Sequence, residues 1–510
     1  MISYFPDERQ VEEEPLSSSP TALARRALQT LTHDLDTHLR RIDDYYRGIH
    51  DSAYMPEMAD DEYKLLDERS KTNYIPLLVK APVQKCYVDG FRSGRAEVRN
   101  PKHGQAVELV QSAAWDFWQR SRLDARQTPV YMAAATYGHS FVLVEKDAGG
   151  RPLAKGLSPL RTAALYDDPA NDEDAVAVVY VKRWPTKDRP GQLRLWHENY
   201  EYSGTFKAER DYESISLTEI GPTDTEACPV TRFAPEVDLD GRTTGVVEPI
   251  IPLQNRLNQT VFDLLVAQTG CSFETRTVTG MAPPLVQDPV RDELDNIIGF
   301  QPRLNDDGQP IPLRVQVNGK QMLYAEDKDV QFGSLPASPL DGYIAALKDI
   351  SERLSAVTQT PPTYLMGQIA NLSAEALVAA EKTLTTKAEG YRHAFGEAWE
   401  RVFRLAAQIE GDRANAEDYH GEVIWQDMES GSLSETADGL GKAASMLGIP
   451  ARGLWSRFPG ATQGDLARWE EMREEDMEND PEYAMAEALR RTGVIHPGST
   501  AGQQVAQAEE

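Results

Sequence analysis

Two Gly-Lys pairs, a His-Glu pair and one acid-rich loop are where side-chain types in this 510-residue chain could do chemistry. A phosphate loop needs a glycine five positions before the Gly-Lys pair and Ser or Thr after it. Gly441-Lys442 has Thr436 and Ala443 at those places, and Gly319-Lys320 has Arg314 where the first glycine belongs. "HENYE", from His197 to Glu201, lacks the second histidine of a zinc-protease helix, so His197 reads as decoration on a strand. In "EVDLDGRTTGVV", with Glu236 as the first position, where Asp is usual, Asp238, Asp240 and Gly241 sit where a calcium loop wants them. Val247 occupies the place of the bidentate glutamate, and the stretch reads as a turn. No Ser/His/Asp set can be assigned to the scattered histidines, and no GxSxG elbow is present. The reading is of a protein that is not an enzyme, with no catalytic residue, metal ligand or cofactor to name.

The whole-chain balance points the same way. A chain of this length exceeds what one core usually serves, so two to four domains or subdomains are expected. The net charge of −28 argues against tight nucleic-acid binding, which depends on Lys and Arg neutralising phosphates. It suits a surface past which DNA must slide. Cys86, Cys228 and Cys271 are far apart, with no CxxC, and read as isolated thiols in a reducing compartment. No apolar run approaches a membrane span, and the acidic, polar N-terminus is unlike a secretory signal.

The elements follow from periodicity. After Ser19-Pro20, a helix is predicted to about Arg47 on the stripe Leu28, Leu31, Leu35, Leu39, Ile42 and Tyr45. A helix carrying Pro76 and Pro82 leads to a strand through Tyr87 and Val88, with a turn at Asp89-Gly90. Another helix covers about Gln105 to Leu123, with Val110, Trp115 and Trp118 on its apolar side. From about Ser140 to Glu236 short strands dominate. A helix opening at Pro252, striped by Leu253, Leu257, Val261 and Leu264, stops at Gly270. Residues 271–335 are strand- and turn-like, with "NDDGQPIP" and "VNGK" as hairpin signals. "SPLD" at Ser338 to Asp341 then starts a helix on Leu340, Ile344, Leu347, Ile350, Leu354 and Val357. A small β-rich insert thus lies between a helix going out and one coming back.

Next comes "TPPTYLMGQIANLSAEALVAAEKTL". Pro361 ends the preceding helix, and Ser373 caps a new one with Glu375 in its first turn. Leu377, Leu384, Tyr391, Ala398 and Leu405, joined by Ala388, Phe395, Val402 and Ile409, predict a helix from Ala374 to Glu410. Its length would be about 55 Å at 1.5 Å per residue. Beyond Gly411 come the strand-like "GEVIWQD", short helices and a polar tail without apolar content.

Taken in order, "YYRGIH", "SKTNYIPLLVKAPVQKCYVDGFR", "AAATYGHSFVLVEKD", "CPVTRFAPE", "EPIIPLQNRLNQTVFDLLVAQ", "TPPTYLMGQIANLSAEAL" and "TADGLGKAASMLGIP" resemble the portal proteins of tailed bacteriophages. The likeness is to the siphophage type of actinobacterial phages and covers roughly residues 40–475.

The resemblance implies an α+β, mainly helical portal fold that forms a ring. Residues 21–250 would be the wing, 251–270 and 338–359 the stem helices, 271–337 the clip, 360–372 the tunnel loop, 373–410 the tunnel helix and 411–491 the wing return and crown. Outside the likeness, composition reads residues 1–20 as a polar leader and 492–510 as a disordered tail. The resemblance also implies a dodecamer at one capsid vertex of the virion, made in the bacterial cytoplasm, through which double-stranded DNA is packaged and ejected. The implied partners are other copies of the chain, the terminase large subunit, the major capsid and scaffolding proteins and a head–tail adaptor, with no membrane. Met366, Gly367, Gln368, Ile369, Ala370 and Asn371, all uncharged, would face DNA, and Lys382 and Lys387 would be the phosphate contacts. The alternatives are a soluble metal-dependent DNA-processing enzyme, built on clusters such as Asp60, Asp61 and Glu62, or another helical head–tail component.

Overall fold

The computed structural model describes residues 19–55, 61–93, 105–272, 276–279, 285–291, 297–305, 308–311, 331–334, 339–366, 374–426 and 433–455, with positions 458, 465, 468, 469, 472 and 473. Contacts divide the chain into two compact units. The first comprises Met1–Asp51, Thr72–Leu257 and Asp349–Glu510, and the second Ser52–Lys71 and Asn258–Lys348.

Helix α1 (Pro20–Asp34) passes through a π turn at Leu35–Leu39 into α2 (Arg40–Tyr46). All six stripe residues expected from the sequence, from Leu28 to Tyr45, are buried. The π turn is a departure from the single regular helix expected. In the second unit, α3 (Asp61–Ser70) carries the buried Asp67, whose carboxylate accepts the Ala53 N–H at 2.7 Å. Back in the first unit, α4 (Ile75–Val83) leads to β1 (Val88–Arg92). The expected turn at Asp89-Gly90 is instead strand, with a bulge between Val88 and Gly90 that absorbs the extra residue. Helix α5 (Gln105–Arg120) ends earlier than its apolar pattern suggested, and α6 (Leu123–Tyr137) follows despite an internal Pro129.

Eight strands come next: β2 (Ser140–Lys146), β3 (Pro152–Leu157), β4 (Thr162–Leu165), β5 (Ala177–Arg183), β6 (Gly191–His197), β7 (Tyr200–Phe206), β8 (Ser216–Pro222) and β9 (Val230–Phe233). Strands β4 to β8 form an antiparallel meander in chain order, and β3-β2-β9 form a second sheet. Alternation along β5 and β6 sends Val179, Val181, Leu193 and Leu195 into one core with Leu23, Leu28 and Leu31 of α1. The opposite face sends Val178 and Trp196 into another, with Phe141, Leu143 and Val230. At β5 and β6 the meander is therefore buried on both faces, whereas β8 is largely exposed.

Helix α7 (Ile251–Ser272) has Pro252 in its first turn, as expected, but runs through Gly270. Strands β10 (Arg276–Thr279), β11 (Gln287–Arg291), β12 (Ile297–Pro302) and β13 (Gln331–Ser334) pair antiparallel, β10 with β13 and β11 with β12. The turn at "NDDGQPIP" keeps Gly308 at φ 76° and an Asn305 carboxamide oxygen accepting the Gln309 N–H at 2.7 Å. "VNGK", Ser338 and Ser373 lie outside the described residues. Helix α8 (Asp341–Thr358) buries Ile350 and Leu354 but leaves Ile344 and Val357 exposed, so its expected stripe is only half covered within this chain. The boundary between units falls inside α7 and again inside α8.

Helices α9 (Pro362–Met366) and α10 (Ala374–Glu410) follow, then α11 (Arg413–Ala416), β14 (Glu422–Trp425), α12 (Leu433–Leu447) and α13 (Ala451–Leu454). Strand β14 pairs antiparallel with β1. Helix outweighs strand in a mixed α/β chain.

Candidate functional site

The passage from α8 through α9 to α10 is the region singled out by sequence. Helix α8 ends in a Schellman turn. Gln359 takes the left-handed conformation at φ 55°, its N–H donates to the Ala356 carbonyl at 3.3 Å, and the Thr360 N–H donates to the Ser355 carbonyl at 3.0 Å. Those bonds satisfy carbonyls that the helix end would otherwise leave unpaired. Glycine is the usual residue at such a position, because a side chain there costs about 1 kcal/mol or more. Buried hydroxyls reinforce the turn: Thr358 Oγ1 donates to the Leu354 carbonyl at 2.7 Å, and Ser355 Oγ donates to the Thr360 carbonyl. Pro361 and Pro362 then prevent α8 from continuing, and Pro362 supplies the first residue of α9. The start of the expected loop is thus a short helix.

Of the six residues expected to face DNA, Met366 is the last of α9. Gly367, Gln368, Ile369, Ala370 and Asn371 lie outside the described residues. The two lysines lie one and a half turns apart on α10 and line one pocket of about 540 Å³, with Glu236, Gln359, Thr383, Thr386 and Tyr391. Lys382 is exposed and Lys387 half-buried. The Lys387 ammonium donates to the Thr358 carbonyl at 3.0 Å and lies 5.8 Å from the centre of the Tyr391 ring. Burial pushes its pKa below the usual lysine value, and the Glu236 carboxylate partly opposes that shift.

What holds α10 is an aromatic core. Every described member of its predicted stripe is buried, from Leu384 to Ile409. Phe395 stacks on Tyr131 of α6 with ring centres 4.7 Å apart. Trp399 meets Trp118 at 4.9 Å and Phe233 at 4.7 Å, edge to face, while Phe403 stacks on Phe91 at 4.2 Å. Each such ring, fully buried, stabilises the fold by about 1.5–3 kcal/mol through removal of apolar area from water. Two arginines pin the helix to backbone. Arg392 donates through Nε to the Lys85 carbonyl at 2.9 Å and through its terminal nitrogen to the Gln426 carbonyl at 2.5 Å. The buried Arg401 donates to Thr231 Oγ1 at 3.2 Å and the Cys228 carbonyl at 3.0 Å, and pairs with Asp174.

Sequence reading did not find the left-handed Gln359, Arg392 or Arg401. A Gln in that conformation carries no signal of its own, and the arginine partners are distant in the chain. Near the other end of α10, the Glu400 carboxyl is raised to about 7 by partial burial and then by Glu397, with the Val423 N–H and Arg404 opposing.

Among the described residues, no group of three or more His, Cys, Asp or Glu is placed to hold a metal. Burial raises the Cys86 and Cys228 thiols to about 12, which leaves them protonated and inert at neutral pH. His197, at the end of β6, shares a hydrogen bond with the Val176 carbonyl at 2.8 Å, as suits a structural side chain. No described helix is long and apolar enough to cross a membrane.

Comparison with known proteins decides the family. The model of the SPP1 Gp6-like phage portal protein family matches residues 30–479. The chain belongs to this family. The portal protein of Mycobacterium phage L5 is 26% identical over 389 residues, covering 72% of this chain and 71% of that relative. The portal protein of Mycobacterium phage D29 is 25% identical over 478 residues, covering 88% of each. The resemblance read from the sequence, to portals of actinobacterial phages, is borne out. As a portal protein the chain serves the bacteriophage virion in a structural, non-enzymatic part.

Proposed function

We propose that this portal protein assembles as a dodecameric ring at one capsid vertex and forms the channel for double-stranded DNA in packaging and ejection. The observation that carries the reading is the family match over residues 30–479. Its support in the chain is the order helix, β-rich insert, helix, then a Pro-Pro break before the 37-residue α10. In this reading residues 21–250 are the wing, α7 and α8 the stem, and the strands between them the clip, where terminase and later a head–tail adaptor dock. Residues 411–491 return to the wing and form the crown. The capsid and scaffolding proteins meet the outer surface. A ring repeats one heterologous contact until it closes, so a loop aimed inward recurs once per subunit at one height.

Residues 360–372 line the bore, with Met366 to Asn371 toward DNA. Their lack of charge, with a chain charge of −28, lets a duplex pass without the ionic grip that Lys and Arg rows would exert. Lys382 meets phosphate directly. Lys387 does so only when its ammonium leaves the Thr358 carbonyl.

Negative-stain images and native mass of the purified chain test the reading. Annular particles of many subunits are expected, and monomers that cleave DNA with magnesium or manganese would reverse it. Replacing residues within 362–372 by bulky charged ones should leave rings intact and impair packaging. Loss of assembly would instead mark that stretch as a packed connection.

A further inference from the structure

We propose that Lys387 is a positioning residue that latches the end of α8 to α10 and so fixes the direction in which the chain leaves for α9. Three observations carry this. The last turn of α8 contains no basic residue of its own, so its negative end has no local cation. Lys387 supplies one from 29 positions away, with its ammonium 3.0 Å from the carbonyl of Thr358, the residue at which α8 ends. The next residue is the left-handed Gln359, where a side chain must be held against its own preference.

The latch and the strained turn are therefore adjacent along the backbone. Thr358 is buried, so its carbonyl has little access to water as a substitute partner, and the Thr360 hydroxyl that also donates to it does so at 3.4 Å, longer than the lysine contact. A charge-assisted bond to a buried acceptor is stronger than a neutral one and costly to leave unmade. Lys382 lines the same pocket and remains exposed, which separates the two lysines by role: one faces solvent, the other holds the turn. Glu236 also lines that pocket and favours a charged ammonium.

The inference deepens the tunnel reading of residues 360–372, because it names what orients the chain entering them. The test does not depend on DNA passage. Hydrogen–deuterium exchange of the full chain would be followed in peptides containing the Gln359 and Thr360 amides, the two that close the Schellman turn. Lys387→Met keeps the aliphatic stem and removes the charge. It should speed exchange at those amides by about tenfold, the loss expected for one charge-assisted bond. Peptides within Tyr391–Leu405 should keep wild-type protection, and Lys387→Arg should restore protection at the turn. Lys387→Gln, shorter and neutral but still polar, should give the same local loss and serves if the methionine variant does not fold. Unchanged exchange at Gln359 and Thr360, acceleration spread evenly along α10, or failure of the arginine variant to restore protection would each overturn the latch.

Discussion

The Trp399 indole N–H donates to the Tyr131 hydroxyl at 2.6 Å, with both side chains sealed from solvent. The hydroxyl in turn donates to the Gln127 carboxamide oxygen at 3.2 Å. That relay ties α10 to α6 in the middle of an otherwise apolar cluster. Tyr131→Phe would leave the indole N–H buried without its acceptor, at a cost of about 1–3 kcal/mol. Denaturant titration should show this loss. Adding Trp399→Phe removes the orphaned donor together with indole packing, and a double-mutant cycle should give a coupling well above zero.

Arg401 makes a second prediction. Its guanidinium is 6% exposed while its partner Asp174 is half exposed. Removing the arginine strands the buried Cys228 carbonyl, whereas removing the acid exposes the cation to little water. Arg401→Leu should destabilise by about 2 kcal/mol, below a fully buried pair because Asp174 can rehydrate. Asp174→Asn should lower the melting temperature less than Asp174→Leu, since the amide can still accept a hydrogen bond.

Glu400 sets a pH dependence. Its carboxyl is raised to about 7 in the folded chain from an ordinary value of 4.5. The folded state therefore binds this proton more tightly than the unfolded state. The contribution is greatest below about 4.5, declines as pH rises toward about 7, and is gone above that. Glu400→Gln should flatten this part of the melting-temperature profile between those values and match or exceed wild type at pH 8. Parallel profiles for the two proteins would contradict it.

Two glycines test close backbone approach. A Cβ on Gly245 would lie 2.5 Å from the Thr136 carbonyl oxygen, and one on Gly138, at φ 92°, would lie 2.8 Å from that of Thr243. Neither neighbour is a side chain that can swing aside. Gly245→Ala and Gly138→Ala should each destabilise the first unit by more than about 1 kcal/mol. By contrast, Gly439→Ala, with open space around it inside α12, should be neutral or stabilising.

Periodicity made α10 legible to its ends, because 37 residues of helical repeat leave little competing interpretation. The strand-rich character of residues 140–236 was legible from β-branched and aromatic residues set between turn clusters, but the turn that divides β6 from β7 was not. Helix α6 was not legible, since Pro129 and a mixed polar pattern hide it, and tertiary packing of Tyr131 and Ala134 decides its state. Asp89-Gly90 looks like a turn in isolation and becomes strand only because β14, more than 300 residues later, pairs with it. The site followed the same rule. The Pro-Pro break announced itself, but the clasp between Lys387 and Thr358 joins residues whose proximity exists only in three dimensions.

Gln127 has a consequence beyond the relay it ends. Its carboxamide accepts the Val88 N–H at 2.8 Å and donates to the Val88 carbonyl at 3.2 Å, mimicking one rung of a neighbouring strand. At that point the outer margin of a two-stranded ribbon is already saturated. A stray peptide seeking to add itself there finds the vacancy filled from within, so at Val88 the ribbon cannot seed runaway stacking between molecules.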